Sequence, residues 1–551
     1  MPSSFQARTN VADRLSESAH RTPDQVAVAE CWGKHRQITL GELDREVELL
    51  ASGLIALGVR PQMRLALLVK PGIEFVALVF ALLKSGATMV LVDAALGRQN
   101  IVRCLASTQP EGFVAIPLGQ ALRIAKRRHF PNARFNVTVG RKWGWSGPSL
   151  DDVRRLGESN SLTEWPLTAA DDPAAVVFTS GSTGPPKGVE YRHETFVTQL
   201  TEIERMYGLE SGGIDLACFP LFGLFNVALG ITTVFPEMDF SRPAKADPRK
   251  LFEAADRWGV TQSFASPAVW NVLSHYCRRS GTTIPTLREV FSCGAPVPPR
   301  TIEHTLECVA EGARLHTPYG ATESLPVSTI EAAEILGEAA AATGRGEGVC
   351  VGRKVDSIDW RVIAITDEPI GSMAETTELP TGRIGELVVR GPQVSRCYLP
   401  APHLNYDANA ASKIVDGEDV WHRMGDVGYL DALGRFWYCG RKSQRVTIEN
   451  GTLFTECVEG IANTHPWVAR SALVGVGPRG QQVPVVIVEP VAGADVRTIE
   501  TEVMSLLKSR GASRGIERLL IHKSLPTDIR HNAKIQREQL AEWAAERLKV
   551  R

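Results

Sequence analysis

With 551 residues, 44% of them apolar and 22% charged, the chain is long enough for two or more domains with ordinary globular cores. Its 61 lysines and arginines against 62 acids leave a formal net charge of −1, which argues against nucleic acid as the main partner. The longest apolar run, Phe75 to Leu83, falls well short of the roughly 20 residues a bilayer span needs, so no membrane crossing is expected, while a peripheral lipid contact stays compatible with the sequence.

The opening residues, "MPSSFQARTNVADRLSESAH", contain no apolar leader segment. None of the ten cysteines forms a C-x-x-C pair. The expectation is a cytoplasmic protein with reduced, mostly packed thiols. "DRLSESAHRTPDQVAVAE" predicts a short amphipathic helix, a Thr-Pro stop and a strand. Thr39 is placed to cap a helix that carries Leu43, Val47, Leu50, Leu54 and Leu57 on one face. "RLALLV" reads as a strand, "EFVALVFALLKSG" as a buried helix closed by Gly86, and "TMVLVD" as a further strand. The basic cluster Lys126 to Phe130, "KRRHF", reads as a solvated surface turn.

The same alternation returns in "PRKLFEAADRWG", "VTQSFAS", "PAVWNVLSHYCRRS", "REVFSCG", "PPRTIEHTLECVAEG" and "RLHTPYG". Helices alternating with apolar strands predict α/β architecture with largely parallel sheets. From "DWRVIAI" through "GRIGELVVRG" to "VWHRMGDVGYLDALGRFWYCGRK", short strands joined by Gly and Asp turns predict a β-barrel or meander. The last segment alternates strand and helix again and ends in a charged helix, "KIQREQLAEWAAERLK". The expected division is a large unit of residues 1–439 and a small α+β unit of residues 440–551, hinged near Cys439–Arg441.

The chemistry concentrates in "FTSGSTGPPKG", Phe178 to Gly188, which follows the apolar Ala174–Val177. Glycines let backbone N–H groups approach an anion, hydroxyls donate to phosphate oxygens, and Lys187 supplies a point charge. A Walker A loop is excluded, because Lys187 sits between Pro186 and Gly188 and the hydroxyls precede it. The spacing therefore points to a polyphosphate cradle of another kind.

That loop resembles the phosphate loop of the adenylate-forming superfamily of acyl-CoA synthetases, nonribosomal adenylation domains and luciferases. The matching residues are Thr179, Ser180, Gly181, Ser182, Thr183, Gly184 and Lys187, with His193 following at the usual distance. "LLKSGATMVLVD", "SCGAPVP", "YGATES", "GRIGELVVRGPQVSRCYLP", "RMGDVGYLDALGRFWYCGRK" and "HNAKIQREQL" match further motifs of that superfamily in order, so the resemblance covers residues 10 to 545. It implies a large domain of two α/β sheet subdomains plus a β-barrel, followed by a mobile small domain, with ATP and Mg²⁺ as cofactors. Gly294, Ala295 and Pro296 would lie beside adenine and Tyr319 would stack on it. Asp426 would accept the ribose hydroxyls with Arg441 nearby. Thr322 would hold the α-phosphate and Glu323 would bind Mg²⁺. Lys534 would bridge the substrate carboxylate and the α-phosphate, where a cation matters most in the transition state.

Departures from the common pattern narrow the branch. Gly223 in "FPLFGLFNVALG" stands where many CoA ligases carry histidine, Ser443 replaces the hinge aspartate, and the approach from Pro526 to Lys534 is two residues longer, with Ala533 in place of glycine. "DIRHNAKI", "VTVGRKWGW" and "HRMGDVGY" resemble the β-lactone synthetases of the bacterial long-chain olefin pathway. That resemblance implies a 2-alkyl-3-hydroxy acid substrate, an acyl-adenylate, and closure of a β-lactone by the substrate's own hydroxyl. It also implies thiolase-like, reductase and α/β-hydrolase-like pathway partners. Phe222, Gly223, Phe225 and His193 are the candidate substrate-pocket residues, and His193 and His531 the candidate bases. The competing readings are an acyl-CoA or acyl-carrier-protein ligase, which passes the same adenylate to a thiol, and a non-catalytic nucleotide-binding protein.

Overall fold

The helix Leu40–Ala56 begins where the sequence places its cap: the Thr39 hydroxyl accepts from the Glu42 amide, and the Glu42 carboxylate accepts from the Thr39 amide. This reciprocal pair satisfies two backbone donors that the first turn leaves open. Leu43, Val47, Leu50 and Leu54 are buried along one face. The helix Ile73–Lys84 is apolar on every side, and all ten residues from Phe75 to Lys84 are buried. It runs between layers rather than over them, and each such leucine or phenylalanine contributes roughly 1.5–3 kcal/mol of burial. Gly86 ends it in the left-handed region, at φ +74°.

The computed structural model describes residues 8–93, 96–179, 186–399, 406–527 and 535–548. Two sheets carry the larger part of the chain. In the first, the strands Phe135–Thr138, Gly112–Ala115, Arg64–Leu68, Thr88–Leu91 and Pro173–Thr179 are parallel neighbours, and Lys187–Arg192 closes the edge antiparallel. In the second, Val26–Glu30, Thr232–Phe235, Ile214–Ala217, Gln262–Ala265, Glu289–Ser292 and Arg314–Ala321 are parallel in that order. One core cluster, including Leu15, Leu50, Phe80 and Val227, joins the two sheets through the helices between them.

The antiparallel strands expected as a barrel or meander are continuous with the second sheet. Arg314–Ala321 pairs with Ser324–Glu331, and the ladder runs on through Val349–Lys354, Arg435–Arg441, Asp419–Leu430, Gly385–Arg390 and Asp359–Ile363. Past the short turn Lys442–Gln444, a three-stranded sheet of Val468–Val476, Val483–Pro490 and Arg518–Ile521 has its own two cores. Leu473, Val486 and Val488 face the helices Thr455–Ala462 and Val496–Lys508, while Ala472, Val474 and Ile487 face Arg537–Leu548. This is the period-two alternation of a strand buried on both faces. All ten cysteines are free thiols, seven of them buried. Among the described residues no helix is long and apolar enough to cross a membrane.

Candidate active site

Parallel strands deliver loops to their carboxyl ends, and that is where the sequence motifs gather. Pro173–Thr179 leads into the glycine-rich segment ahead of Lys187, Glu289–Ser292 into Gly294–Pro296, and Arg314–Ala321 into Thr322 and Glu323. Thr179 and Lys187 are register partners at the mouth of the hairpin. The Tyr191 hydroxyl, on the strand that bears Lys187, donates to the Thr322 carbonyl at 2.7 Å and ties the edge of the first sheet to the second. A Cβ on Gly320 would fall 2.6 Å from the Ser324 carbonyl, so the tight turn after Tyr319 requires glycine.

Two polar clusters form. In the first, the Tyr319 hydroxyl donates to Asp426 Oδ2 at 2.5 Å. Arg441, in register with Asp426 on the next strand, pairs with its Oδ1 at 3.0 Å and donates to the Met424 carbonyl. Burial, with the Asp426 charge adding to it, holds the Tyr319 phenol far above its ordinary range, so it stays a donor. The neighbouring Asp426 carboxylate raises the Arg441 guanidinium still further, which keeps it a fixed cation. A tyrosine ring, a carboxylate and a guanidinium in contact suit a purine, a ribose diol and the oxygens beyond it.

The second cluster centres on Glu323. Its Oε1 accepts the Tyr398 hydroxyl at 2.6 Å. The Lys187 ammonium lies 4.9 Å from the Tyr398 ring centroid and the Lys413 ammonium 5.4 Å. Lys413 is buried, and its Nζ donates to the Ser395 carbonyl, while the Ser395 amide donates to the Glu323 carbonyl. Burial pulls the Lys413 ammonium down to about 8, with the Glu323 carboxylate opposing the shift. The segment Gln393–Leu399 thus straps the two sheets: Val394 bridges Ser324, Tyr398 bridges Val189, and the Leu399 amide donates to the Gly188 carbonyl.

Sequence reasoning singled out neither Tyr398 nor Lys413. Tyr398 sits inside a quoted motif, but nothing in its spacing marks it as the partner of Glu323. Lys413 opens the strand Lys413–Asp416, where a lysine reads as an exposed edge residue until the strap buries it. Ser180, Gly181, Ser182, Thr183, Gly184, His531 and Lys534 lie outside the described residues. The segment that carries Lys534 is flanked by a bridge between Thr527 and Ile535 and by Arg537, which pairs with both oxygens of buried Glu459 at 2.7 and 2.8 Å.

The acyl-pocket candidates on the helix Pro220–Leu229 divide by face. Phe222 stacks on Phe264 with centroids 3.8 Å apart, and Phe225 lies near Phe196. Both are half-buried. Gly223 points the other way. Its Cβ would meet Thr233 at 3.1 Å and Ala217 at 3.3 Å, so glycine there lets the helix seat on the sheet. The sequence reading that put Gly223 in the pocket is corrected by this helix–sheet contact. His193 is also removed from the chemistry. It follows Arg192, whose register partner is Pro173, at the far end of a hairpin whose other end pairs Thr179 with Lys187. Five residues of strand separate the two ends by about 17 Å. The His193 ring is fully buried, and burial pulls it down to about 4, so it packs as a neutral side chain.

A model of the AMP-binding enzyme family matches residues 15–399, and the chain belongs to that family. It is therefore an AMP-forming ligase by class. Over nearly its full length it is similar to the olefin beta-lactone synthetases of Stenotrophomonas maltophilia (strain K279a), at 43% identity over 98% of this chain and 99% of that one. It is equally similar to that of Xanthomonas campestris pv. campestris, at 43% identity over 98% of each chain. In fold it resembles the amide bond synthetase McbA from Marinactinospora thermotolerans, with a TM-score of 0.77 at 21% identity over 97% of this chain and 99% of that one.

Proposed function

We propose that this chain is an ATP-dependent β-lactone synthetase acting on a long-chain 2-alkyl-3-hydroxy acid. The observation that carries the reading is 43% identity along essentially the whole of both chains to olefin beta-lactone synthetases. In the first step the substrate carboxylate attacks the α-phosphorus, an acyl-adenylate forms and pyrophosphate leaves. In the second, the substrate's β-hydroxyl oxygen bonds to the acyl carbon, the hydroxyl proton is lost, and the bond from acyl carbon to the bridging oxygen breaks to release AMP. The nucleophile is already tethered, so proximity supplies much of the advantage.

The residues divide the work. Tyr319 packs on the adenine beside Gly294, Ala295 and Pro296. Asp426, held by Arg441, takes the ribose hydroxyls. Thr179, the loop Ser180–Gly184 and Lys187 hold the β- and γ-phosphates, and Thr322 the α-phosphate. Lys534 bridges carboxylate and α-phosphate from the small unit, residues 440–551, which turns about Cys439–Arg441. Glu323 fits a magnesium ion. It offers a hard carboxylate oxygen, the donor such an ion prefers, held by the Tyr398 hydroxyl. Bound there, Mg²⁺ would neutralise phosphate charge. Phe222 and Phe225 border the alkyl chains and keep water from the adenylate.

The test is product analysis with ATP, Mg²⁺ and a 2-alkyl-3-hydroxy acid, with and without CoA. The reading predicts AMP and a lactone in equal yield under both conditions. An acyl-CoA product formed only when CoA is present would overturn it.

A further inference from the structure

From Gly112 to Leu150 the chain runs for 39 residues without one aspartate or glutamate, where its average composition would place about four. The same run holds seven lysines and arginines. Lys126, Arg127 and Arg128 are exposed just past the helix Pro117–Ala125, and Arg141 and Lys142 are exposed in the loop after the edge strand Phe135–Thr138. Arg134 is exposed, and Arg123, on the helix ahead of Lys126, is half-buried. Among the described residues none of the seven makes an ion pair, although most arginines elsewhere do. The nearest acids in sequence are engaged. Glu111 accepts from the Arg64 amide, Asp151 pairs with Arg154, and Asp152 pairs with Arg155 and caps the next helix.

Large apolar side chains stand out among these cations. Leu118 is 68% exposed, Trp143 61% and Ile124 39%. Trp143 is displayed by a built loop. The Trp145 indole donates to the Thr138 hydroxyl at 2.8 Å, and the Thr138 amide donates to the Pro148 carbonyl. Gly147, at φ +98°, lies so close to the Asn136 carbonyl that a Cβ would sit 2.3 Å from it. The helix returns the chain between two parallel strands and is fixed across them by Gln120, which donates to the Phe113 and Val137 carbonyls. Its Leu118 end and the Trp143 loop therefore share the carboxyl edge of the first sheet, the edge that also carries the phosphate loop. The Lys126–His129 end lies about 13 Å further along the same flank.

We infer that this flank docks the enzyme on an anionic lipid surface, with Leu118, Ile124 and Trp143 entering the headgroup boundary and the surrounding cations facing lipid phosphates. Aliphatic side chains between unpaired cations match a bilayer interface, where apolar burial and charge attraction add. A nucleic-acid backbone would leave Leu118 and Ile124 without use, and it would meet a chain of net charge −1. The inference stands apart from the reaction chemistry and survives any change in the assigned product.

The experiment is co-sedimentation of the full chain with phosphatidylcholine vesicles and with vesicles containing about a quarter phosphatidylglycerol. Binding is expected only to the anionic vesicles and is weakened by salt. The double substitution R127E/R128E lowers the partition by about tenfold or more, and Trp143→Ala by several-fold. Both variants keep the parent's melting temperature and its AMP release with a water-soluble 3-hydroxy acid. Absence of binding, equal binding to neutral and anionic vesicles, or variants that bind like the parent would each overturn the proposal. So would tighter binding to duplex RNA or DNA that those same substitutions abolish, since it would assign the flank to nucleic acid.

Discussion

In the two polar clusters the side chains meet in sequence, Tyr319 to Asp426 to Arg441 and Glu323 to Tyr398 beside two lysines. Beside the helix Pro220–Leu229, Phe222, Phe264 and Phe291 lie ring against ring, and the contact is non-directional. A hydrogen-bonded cluster of this kind suits a ligand of fixed shape, because losing one group leaves buried partners unsatisfied. An aromatic group suits an alkyl chain by area, and a lost ring there costs only its share of burial. Substitutions should therefore act sharply at the first and gradually at the second.

The largest effect is expected at Glu323. Glu323→Gln removes the charge that Tyr398 orients and should cut ATP–pyrophosphate exchange by about 10²–10³-fold, as measured by radiolabel exchange. A parent-like rate would break the comparison at its stronger end. Next comes a buried group outside both ends. His193 titrates at about 4 in the folded chain against 6.5 when free, so the unfolded state binds more protons between those values. Stability should fall as pH drops from 6.5 toward 4, by about 3 kcal/mol at most. His193→Leu should flatten that slope in thermal melts while leaving the pyrophosphate exchange rate unchanged at neutral pH. A large loss of exchange would return His193 to the site.

Lys413→Met removes the buried ammonium behind Tyr398 and leaves the Ser395 carbonyl without its donor. Steady-state kinetics should show the KM for ATP raised about tenfold with the KM for the acid unchanged. Phe222→Ala is the mildest. It should lower kcat/KM several-fold for long-chain acids and little for short ones, with the KM for ATP unchanged. An equal loss for all chain lengths would mean that Phe222 supports the fold rather than lines the pocket.

The same contrast explains what was legible in the sequence. Lys187, Tyr319, Glu323, Asp426 and Arg441 could be named because they fall in motifs of fixed residue type and order, and the fold brings Tyr319, Asp426 and Arg441 into one contact. The cap at Thr39 and the buried helix Ile73–Lys84 were equally readable, the first from a hydroxyl residue just ahead of an apolar-periodic run and the second from an unbroken apolar run. Lys413 was not, because its strand looks like an edge until Gln393–Leu399 covers it. Gly223 misled because a missing side chain in a motif suggests altered chemistry, whereas here its absence serves the contact with Thr233 and Ala217. His193 misled because adjacency in sequence hid the length of a hairpin.

The central claim is that the carboxylate is activated and the β-hydroxyl attacks. It is tested most directly with a substrate carrying ¹⁸O only in the β-hydroxyl, followed by mass spectrometry of both products. The account predicts that all of the label stays in the lactone ring and that none reaches AMP. Label in AMP would mean that the hydroxyl, and not the carboxylate, had been adenylated, and would contradict it.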